Sequence, residues 1–415
     1  MSAGPSSPKA DRSVLRALRR SGDTSRDGRG RVAGMPPILQ YGFRPFFFLA
    51  ALHAGLAIPA WLVLYLSGHA LPGPFPGLGW HAHEMLFGYV QAVVAGFVLT
   101  AIPNWTGRLP LSGWPLAGLV LLWAAGRVAC AAVADPVAAM LVDGAFPAVL
   151  AFAVWREVLA GRNWKNAPVA AMVSLFGLAN LADHAANLDL AAHGFGVRLA
   201  LAAITMLLAL VGGRIVPSFT RNWLVKRGEA RLPASFGLLD KAALAGTAAA
   251  CLAWIAAPGA AATGWALILA GALLAARLAR WRGHRTAREP IVLVLHAGYG
   301  WLAVALALLA CAAVSLRMIE SAALHALTAG AIGTMTLAVM TRASLGHTGR
   351  EIVADRSVVA AYAAVGAGAA LRVAAPFAGD WSVAALCAGG ALWSAAFILF
   401  AVRFAPVLWG RRVTA

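Results

Sequence analysis

Ten histidines stand out in a chain that holds few other polar side chains. Imidazole can stay neutral in an apolar environment while one ring nitrogen binds haem iron or copper. An ionisable residue at membrane depth is costly and therefore marks a candidate functional position. Seven of the ten lie in or beside long apolar stretches: His53, His81, His83, His184, His296, His325 and His347. This set predicts a metal-binding role for part of its members.

His81 and His83 lie at the beginning of one apolar stretch. On a regular helix their side chains point about 200° apart, so they cannot bind the same metal ion. We expect one of them to bind a metal and the other to serve a second metal or an outer-surface partner. Glu84 follows His81 by three residues, so its carboxylate lies near the imidazole and could fix its tautomer.

His83 and His325 occupy matching positions in two similar segments, each about one turn inside the outer membrane face. Two helices that present one histidine each at the same depth are what bis-histidine ligation of a b-type haem requires. The alternative is that both residues line a polar outer vestibule. His184 lies at the same depth and is either a further metal ligand or an interfacial residue.

The remaining histidines fit less closely with this outer site. His296 is either a hydrogen-bonded core residue or a metal ligand. His347 follows His325 by 22 residues, or about 33 Å of continuous helix, so the two cannot share a metal ion. We assign His347 to a separate inner site or a proton-uptake path. His53 has no polar companion nearby in the sequence, and we expect it to serve packing.

The composition defines the elements that must position these residues. Of the 415 residues, 61% are hydrophobic and 12% are charged, with a mean hydropathy of +0.75. A soluble domain carries about 25% charged residues, and a disordered chain is far less apolar. The sequence therefore predicts an all-α integral membrane protein. Twelve apolar runs are long enough to span a bilayer: residues 46–67, 82–102, 115–133, 137–156, 167–188, 197–216, 236–257, 259–279, 290–313, 323–341, 357–375 and 382–403.

The positions of Lys and Arg support this count. If both termini are cytoplasmic, 30 of the 34 basic residues fall in inner segments, as the positive-inside rule requires. The four on the outer side are Arg127, Arg198, Arg317 and Arg372. The net charge of +18 is therefore a topology signal, and we expect no nucleic-acid partner.

The chain divides into two regions. Residues 1–40 are polar and basic, without a signal-peptide core, and predict a disordered cytoplasmic tail. Residues 41–415 predict a single twelve-helix transmembrane domain. The four cysteines lie in or beside apolar runs without a C-x-x-C spacing, so we interpret them as small apolar residues. They are Cys130, Cys251, Cys311 and Cys387.

The second and tenth spans share a pattern. The segments that end in Thr106-Gly107-Arg108 and Thr348-Gly349-Arg350 align with an offset of 242 residues, which also superposes His83 on His325 and Gly88 on Gly330. A weaker third copy ends the sixth span at 217–220. The period of four spans predicts three pseudo-repeats of four helices around a threefold axis, although matches this short can arise by chance.

Several long motifs resemble the NnrS family of bacterial inner-membrane proteins of the nitric oxide response. They are GFRPFFFLAA (42–51), WHAHEMLFGY (80–89), GFVLTAIPNWTGR (96–108), GGRIVPSFTRNW (212–223), LHAGYGWLA (295–303) and HALTAGAIGTMTLAVMTRASLGHTGR (325–350). The resemblance implies b-type haem and copper as cofactors. It also implies that the functional histidines are those inside the motifs: His81, His83, His296, His325 and His347.

These observations leave three functions open. The leading one is a haem- and copper-binding membrane protein that handles nitric oxide, in its enzymatic form reducing it to nitrous oxide with electrons from a quinol or a cytochrome. The second is a non-enzymatic nitric oxide-binding or electron-transfer cytochrome. The third is a transporter of a metal or a metal–nitrosyl species. In each, the bilayer is the surrounding partner, and nitric oxide is a ligand or a substrate in the first two.

Overall fold

The structure is a computed structural model, and it describes residues 34–314 and 319–413. Within these ranges, twelve helices are long and apolar enough to cross a membrane, which confirms the predicted number. The predicted tail falls outside the described residues as far as position 33. We name the helices α1 Phe43–Ser67, α2 Gly77–Pro103, α3 Trp114–Ala132, α4 Pro136–Ala160, α5 Trp164–Ala186, α6 Phe195–Lys226, α7 Leu238–Ala256, α8 Ala261–Ala279, α9 Pro290–Ala313, α10 Glu320–His347, α11 Arg356–Phe377 and α12 Gly379–Trp409.

Each predicted span overlaps one of these helices, and the largest difference between a predicted and an observed boundary is at the end of α6. The α6 helix continues to Lys226, ten residues beyond its predicted end. The apolar window stops where the membrane stops, whereas backbone hydrogen bonding continues into the polar segment that follows. The sequence therefore predicts the spans more accurately than the helix ends. We call the face at which α2, α6 and α10 begin the outer face, following the charge distribution.

Three helices form the centre of the bundle. Among the twelve, α2, α10 and α6 have the largest buried shares, at 78%, 72% and 61%. They are also the helices that carry the repeated sequence pattern. A helix surrounded by other helices offers several faces for side chains, so α2 and α10 can contribute to different sites on different sides.

Each central helix contains a π-helical segment. These segments are Glu84–Val90 in α2, Leu208–Gly212 in α6 and Ala326–Ile332 in α10. The segments of α2 and α10 begin directly after His83 and His325, at positions separated by the predicted offset of 242 residues. Such segments are rare and frequently occur at functional sites.

Tryptophans of neighbouring helices donate hydrogen bonds to backbone carbonyls in two of the π-helical segments. The indole of Trp123 in α3 donates a hydrogen bond of 2.9 Å to the carbonyl of Gly88. The indole of Trp393 in α12 donates one of 3.2 Å to the carbonyl of Ala329. These bonds satisfy polar groups that the apolar surroundings would otherwise leave unpaired.

The Thr-Gly-Arg motifs also have matching local structures. Gly107 and Gly349 both adopt positive φ angles, of 71° and 74°, which favour glycine at the end of a helix. Thr106 and Thr348 each donate a hydrogen bond to the carbonyl four residues earlier. The repeat thus recurs in local structure, while the threefold arrangement of the whole bundle stays a prediction.

Candidate metal and cofactor sites

His81 and His325 face each other near the outer face, between α2 and α10. Their ring centroids are 6.3 Å apart and their planes differ by 8°. A metal ion bound to one nitrogen of each ring, at about 2 Å, would separate the ring centres by roughly 6 Å. The arrangement therefore fits one metal ion held between two imidazoles.

Local contacts orient both rings. The Nδ1 of His325 lies 2.6 Å from the backbone carbonyl oxygen of Ser321, one turn earlier, and donates a hydrogen bond to it. A neutral imidazole protonated at Nδ1 carries its lone pair on Nε2, which is therefore the nitrogen available to a metal. The ring of His81 stacks on Trp61 of α1, with centroids 4.2 Å apart.

The two rings line a cavity of about 940 Å³, including its mouth. Six helices form its walls, which are mainly apolar; examples are Ile58, Leu201, Leu386 and Trp393. Three glycines of α11 and α12 also form part of the wall: Gly368, Gly389 and Gly390. The lack of a side chain at Gly368 and Gly389 allows the backbones of α11 and α12 to pack closely. A pocket with apolar walls and a few polar groups suits a large apolar ligand. Its histidine pair fits a planar metal-binding macrocycle such as haem.

A second group of donor atoms lies on the other side of α2. His83, Cys130, Asp143 and His184 each offer one donor atom, and these atoms all lie within 4.8 Å of one another. The four residues come from α2, α3, α4 and α5, and none is more than 1% exposed. We call them the four-residue cluster. Its two nitrogens, one sulfur and one oxygen form a mixed set typical of transition-metal sites.

Asp143 is the centre of this cluster. Its Oδ2 atom lies 3.0 Å from Nε2 of His83 and 3.1 Å from Nε2 of His184. The side-chain amide of Asn180 donates a hydrogen bond of 2.6 Å to the same oxygen. The Sγ of Cys130 lies 3.5 Å from Nε2 of His83. The cluster atoms thus converge on one small volume.

Asp183 supports the cluster from outside. Its Oδ2 atom lies 2.9 Å from Nδ1 of His83, the nitrogen that points away from Asp143. A carboxylate on the far nitrogen of a metal-binding histidine fixes its tautomer and raises its basicity. With Nδ1 donating to Asp183, Nε2 of His83 keeps its lone pair for a metal.

The negative charges of the acids in and around the cluster exceed the positive charge of the single arginine that pairs with them. Asp143, Asp183 and Glu84 are carboxylates, while Arg127 is the one guanidinium that pairs with them among the described residues. Arg127 contacts Asp143 and donates to Glu84 at 2.8 Å. Three acids and one base leave a formal charge of −2 in a buried region, which requires compensation. A divalent cation, or protons on the histidines, would supply it.

The structure places Glu84 and His53 in the same charged network. Nε2 of His53 lies 2.9 Å from Oε2 of Glu84. The expected contact of Glu84 with His81 is therefore replaced by contacts with His53 and Arg127, because Glu84 faces α1 and α3. His53, expected to serve packing, pairs with an acid.

The expected pairing of His83 with His325 is absent. His325 lies opposite His81, while the His83 ring contacts that of His184 at 4.8 Å. The sequence spacing does not determine how each helix is rotated against its neighbours, and in the structure α2 directs His81 rather than His83 toward α10. The predicted divergence of His81 and His83 on one helix agrees with the structure, since each enters a different site.

Two predicted histidines lie outside both sites. Nε2 of His296 in α9 lies 2.8 Å from the Thr220 hydroxyl, which agrees with the hydrogen-bonded core interpretation. His347 contacts the ring of Phe43 at the inner end of α10, with centroids 5.5 Å apart. Its distance from His325 along the helix agrees with the prediction that they do not share a metal.

Sequence reasoning missed four residues in or around the second site. Cys130 was interpreted as a small apolar residue, and Asp143, Asp183 and Arg127 were not assigned to a site. A signal was present for Arg127 and Asp143. Arg127 is one of only four basic residues predicted on the outer side, and Asp143 interrupts an apolar span. A charged side chain within a membrane span, or a basic one on the outer side, needs a partner of opposite charge. Arg127 and Asp143 are therefore candidates to pair with each other.

Fold and sites together define a multi-pass helical membrane protein with two histidine sites suited to metals, of which the four-residue cluster is fully buried. Residues 37–412, nearly the whole chain, match the family described as NnrS protein, and the chain belongs to this family. A search among curated proteins finds no match. Family membership supports a role in the nitric oxide response.

Proposed function

We propose that the protein binds b-type haem between His81 and His325 and copper at the four-residue cluster, and exchanges electrons through them when it handles nitric oxide. The observation that carries this proposal is the parallel pair of imidazoles, 6.3 Å apart, across a large apolar cavity. Haem bound there would supply one-electron exchange. We place the protein in the bacterial inner membrane, as the family resemblance implies. The distribution of Lys and Arg supports cytoplasmic positions for both termini.

The donor set supports a soft transition metal at the cluster. Thiolate and imidazole groups favour copper and zinc over calcium and magnesium, which prefer oxygen. Cys130 and the histidines provide those groups, and Asp143 adds a carboxylate. We choose copper because the family resemblance implies it, while the donor set by itself also suits zinc.

The positions of the two sites favour an electron-transfer role. His81 and His83 point to opposite sides of α2, so the helix separates the two sites. His81 and His325 would each offer one imidazole nitrogen to the iron of a haem bound between them. The protein's own residues therefore hold a carrier of electrons, and a quinol or a cytochrome is the proposed donor.

Reduction of nitric oxide to nitrous oxide is the second candidate. Two nitric oxide molecules, two electrons and two protons give nitrous oxide and water, with the electrons supplied by the same donor. A second apolar cavity, of about 600 Å³ including its open side, lies between α2, α6 and α10 and shares Val90 and Ile332 with the histidine cavity. Such a space can admit a small apolar molecule, which favours this candidate.

Absorption and metal content of the purified protein test the proposal. We expect one haem b and one copper per chain, with sharp bands on reduction. His325→Ala should lose the haem bands and keep the copper, while Leu252→Ala, on the exposed side of α7, should keep both. A wild-type protein without haem and copper contradicts the proposal. Nitrous oxide formed by the reduced protein would establish the second candidate, and its absence would leave electron transfer.

A further inference from the structure

Arg372 is the only arginine or lysine that lines the histidine cavity among the described residues. It lies near the outer end of α11 and belongs to the four basic residues predicted on the outer side, against 30 on the inner side. Topology therefore does not account for it. Arg127, another of the four, is bound to Asp143 of the cluster and to the neighbouring Glu84.

The partner of Arg372 in the protein is neutral. Its Nη2 donates a hydrogen bond of 2.9 Å to the hydroxyl of Ser321. Among residues 34–314 and 319–413, no carboxylate forms an ion pair with it, whereas Arg108, Arg127, Arg277 and Arg403 all have one. A guanidinium at the edge of an apolar cavity gains most from an anion bound in a forked geometry.

Ser321 connects Arg372 to the metal-binding position. Its carbonyl accepts the hydrogen bond from His325, and its hydroxyl accepts the one from Arg372. The guanidinium is thereby held one helical turn from the imidazole. A ligand held by His325 that extends along this wall would bring its own substituents to Arg372.

We infer that Arg372 binds a carboxylate of the ligand held between His81 and His325, and so selects a macrocycle with acidic substituents over its neutral analogue. This inference rests on the proposed function. It assigns Arg372 a positioning role: the guanidinium fixes which edge of the ligand faces α11, while the histidines bind the metal.

The test compares haem with its dimethyl ester, in which both carboxylates are neutral. Full-length protein made without haem is titrated with each compound and followed by absorption. We expect the wild type to bind haem about 10- to 100-fold more tightly than the ester, the range of a charge-assisted hydrogen-bonded pair. Arg372→Gln should bind both with the affinity of the wild type for the ester. Arg372→Lys should recover part of the preference, because it keeps the charge without the fork.

Arg214→Gln is the matched control, since Arg214 is an exposed arginine of α6 outside the cavity. It should keep the full wild-type preference. An unchanged preference in Arg372→Gln overturns the inference, as does a loss of ester binding in that variant, because recognition of a carboxylate cannot affect the ester. A wild type that binds neither compound instead overturns the proposed function. The two failures are therefore distinguishable.

Discussion

The cavity between α2 and α10 has apolar walls and room for a large ligand, whereas the cluster on the other side of α2 is packed with charged side chains. Both receive one histidine from the same helical turn. The cavity holds His81 with a partner more than 6 Å away. The cluster holds His83 with acids at 2.9 and 3.0 Å. Open apolar space suits a macrocycle, and dense polar donors suit a bare ion.

The surroundings of each histidine, rather than the histidine itself, determine what each site can bind. His81 stacks on an indole and His83 lies between carboxylates. Each of the following changes should affect one site and leave the other in place.

The largest effect is expected for Asp143→Ala. Asp143 binds Arg127, Asn180 and both cluster histidines, so its removal leaves a buried guanidinium without one of its acids. Breaking a buried ion pair costs about 3–5 kcal/mol. We expect loss of the cluster metal and a lower unfolding midpoint, measured by metal analysis and thermal unfolding. Asp380→Ala, at the exposed beginning of α12, serves as the control. A stable Asp143→Ala protein with its metal retained would contradict the assignment.

Leu201→Trp should close the cavity without affecting the cluster. Leu201 of α6 lines the cavity and is nearly fully buried, so a larger side chain there occupies ligand space. We expect haem binding to weaken by more than tenfold at unchanged copper content, since overpacking costs about 1–3 kcal/mol. Leu252→Trp, where the native side chain is 68% exposed, should change neither property. Equal loss of copper and haem in Leu201→Trp would show that the sites are not independent.

Asp183→Asn should lower the metal affinity of the cluster, but by less than Asp143→Ala does. Asp183 contacts the far nitrogen of His83 and is not itself a member of the cluster. Loss of such an outer carboxylate typically lowers metal affinity by about 10- to 100-fold. Competition with a chelator of known affinity measures this change, with the exposed Asp189→Asn as control. Unaltered affinity would exclude His83 as a ligand supported by Asp183.

The smallest effects are expected at the π-helical segments. Trp123→Phe removes the hydrogen bond to Gly88 on the cluster side, and Trp393→Phe removes the one to Ala329 on the cavity side. Each change should lower the free energy of unfolding by about 0.5–1.5 kcal/mol. Trp393→Phe should lower the haem content more than Trp123→Phe does, because of these two residues only Trp393 lines the cavity. The reverse order would contradict the assignment of the segments to the two sites.

The sequence predicts the twelve spans because apolar length is a property of each segment alone. It also separates His81 from His83, because their angle depends only on helical geometry. The partners of these histidines depend on how each helix is rotated against its neighbours, which no local pattern records. The sequence therefore paired His325 with His83, whereas the structure places it opposite His81, two residues earlier on α2. Cys130 gave no signal, because an isolated cysteine in an apolar span resembles any small apolar residue.

The most direct test of the two-site account compares His81→Ala with His83→Ala. Both variants remove one imidazole from the same end of α2, so each controls for the other. We predict that His81→Ala loses the haem absorption bands and keeps the cluster metal, and that His83→Ala keeps the bands and loses the metal. Loss of the haem bands in His83→Ala, with their retention in His81→Ala, would contradict the assignment.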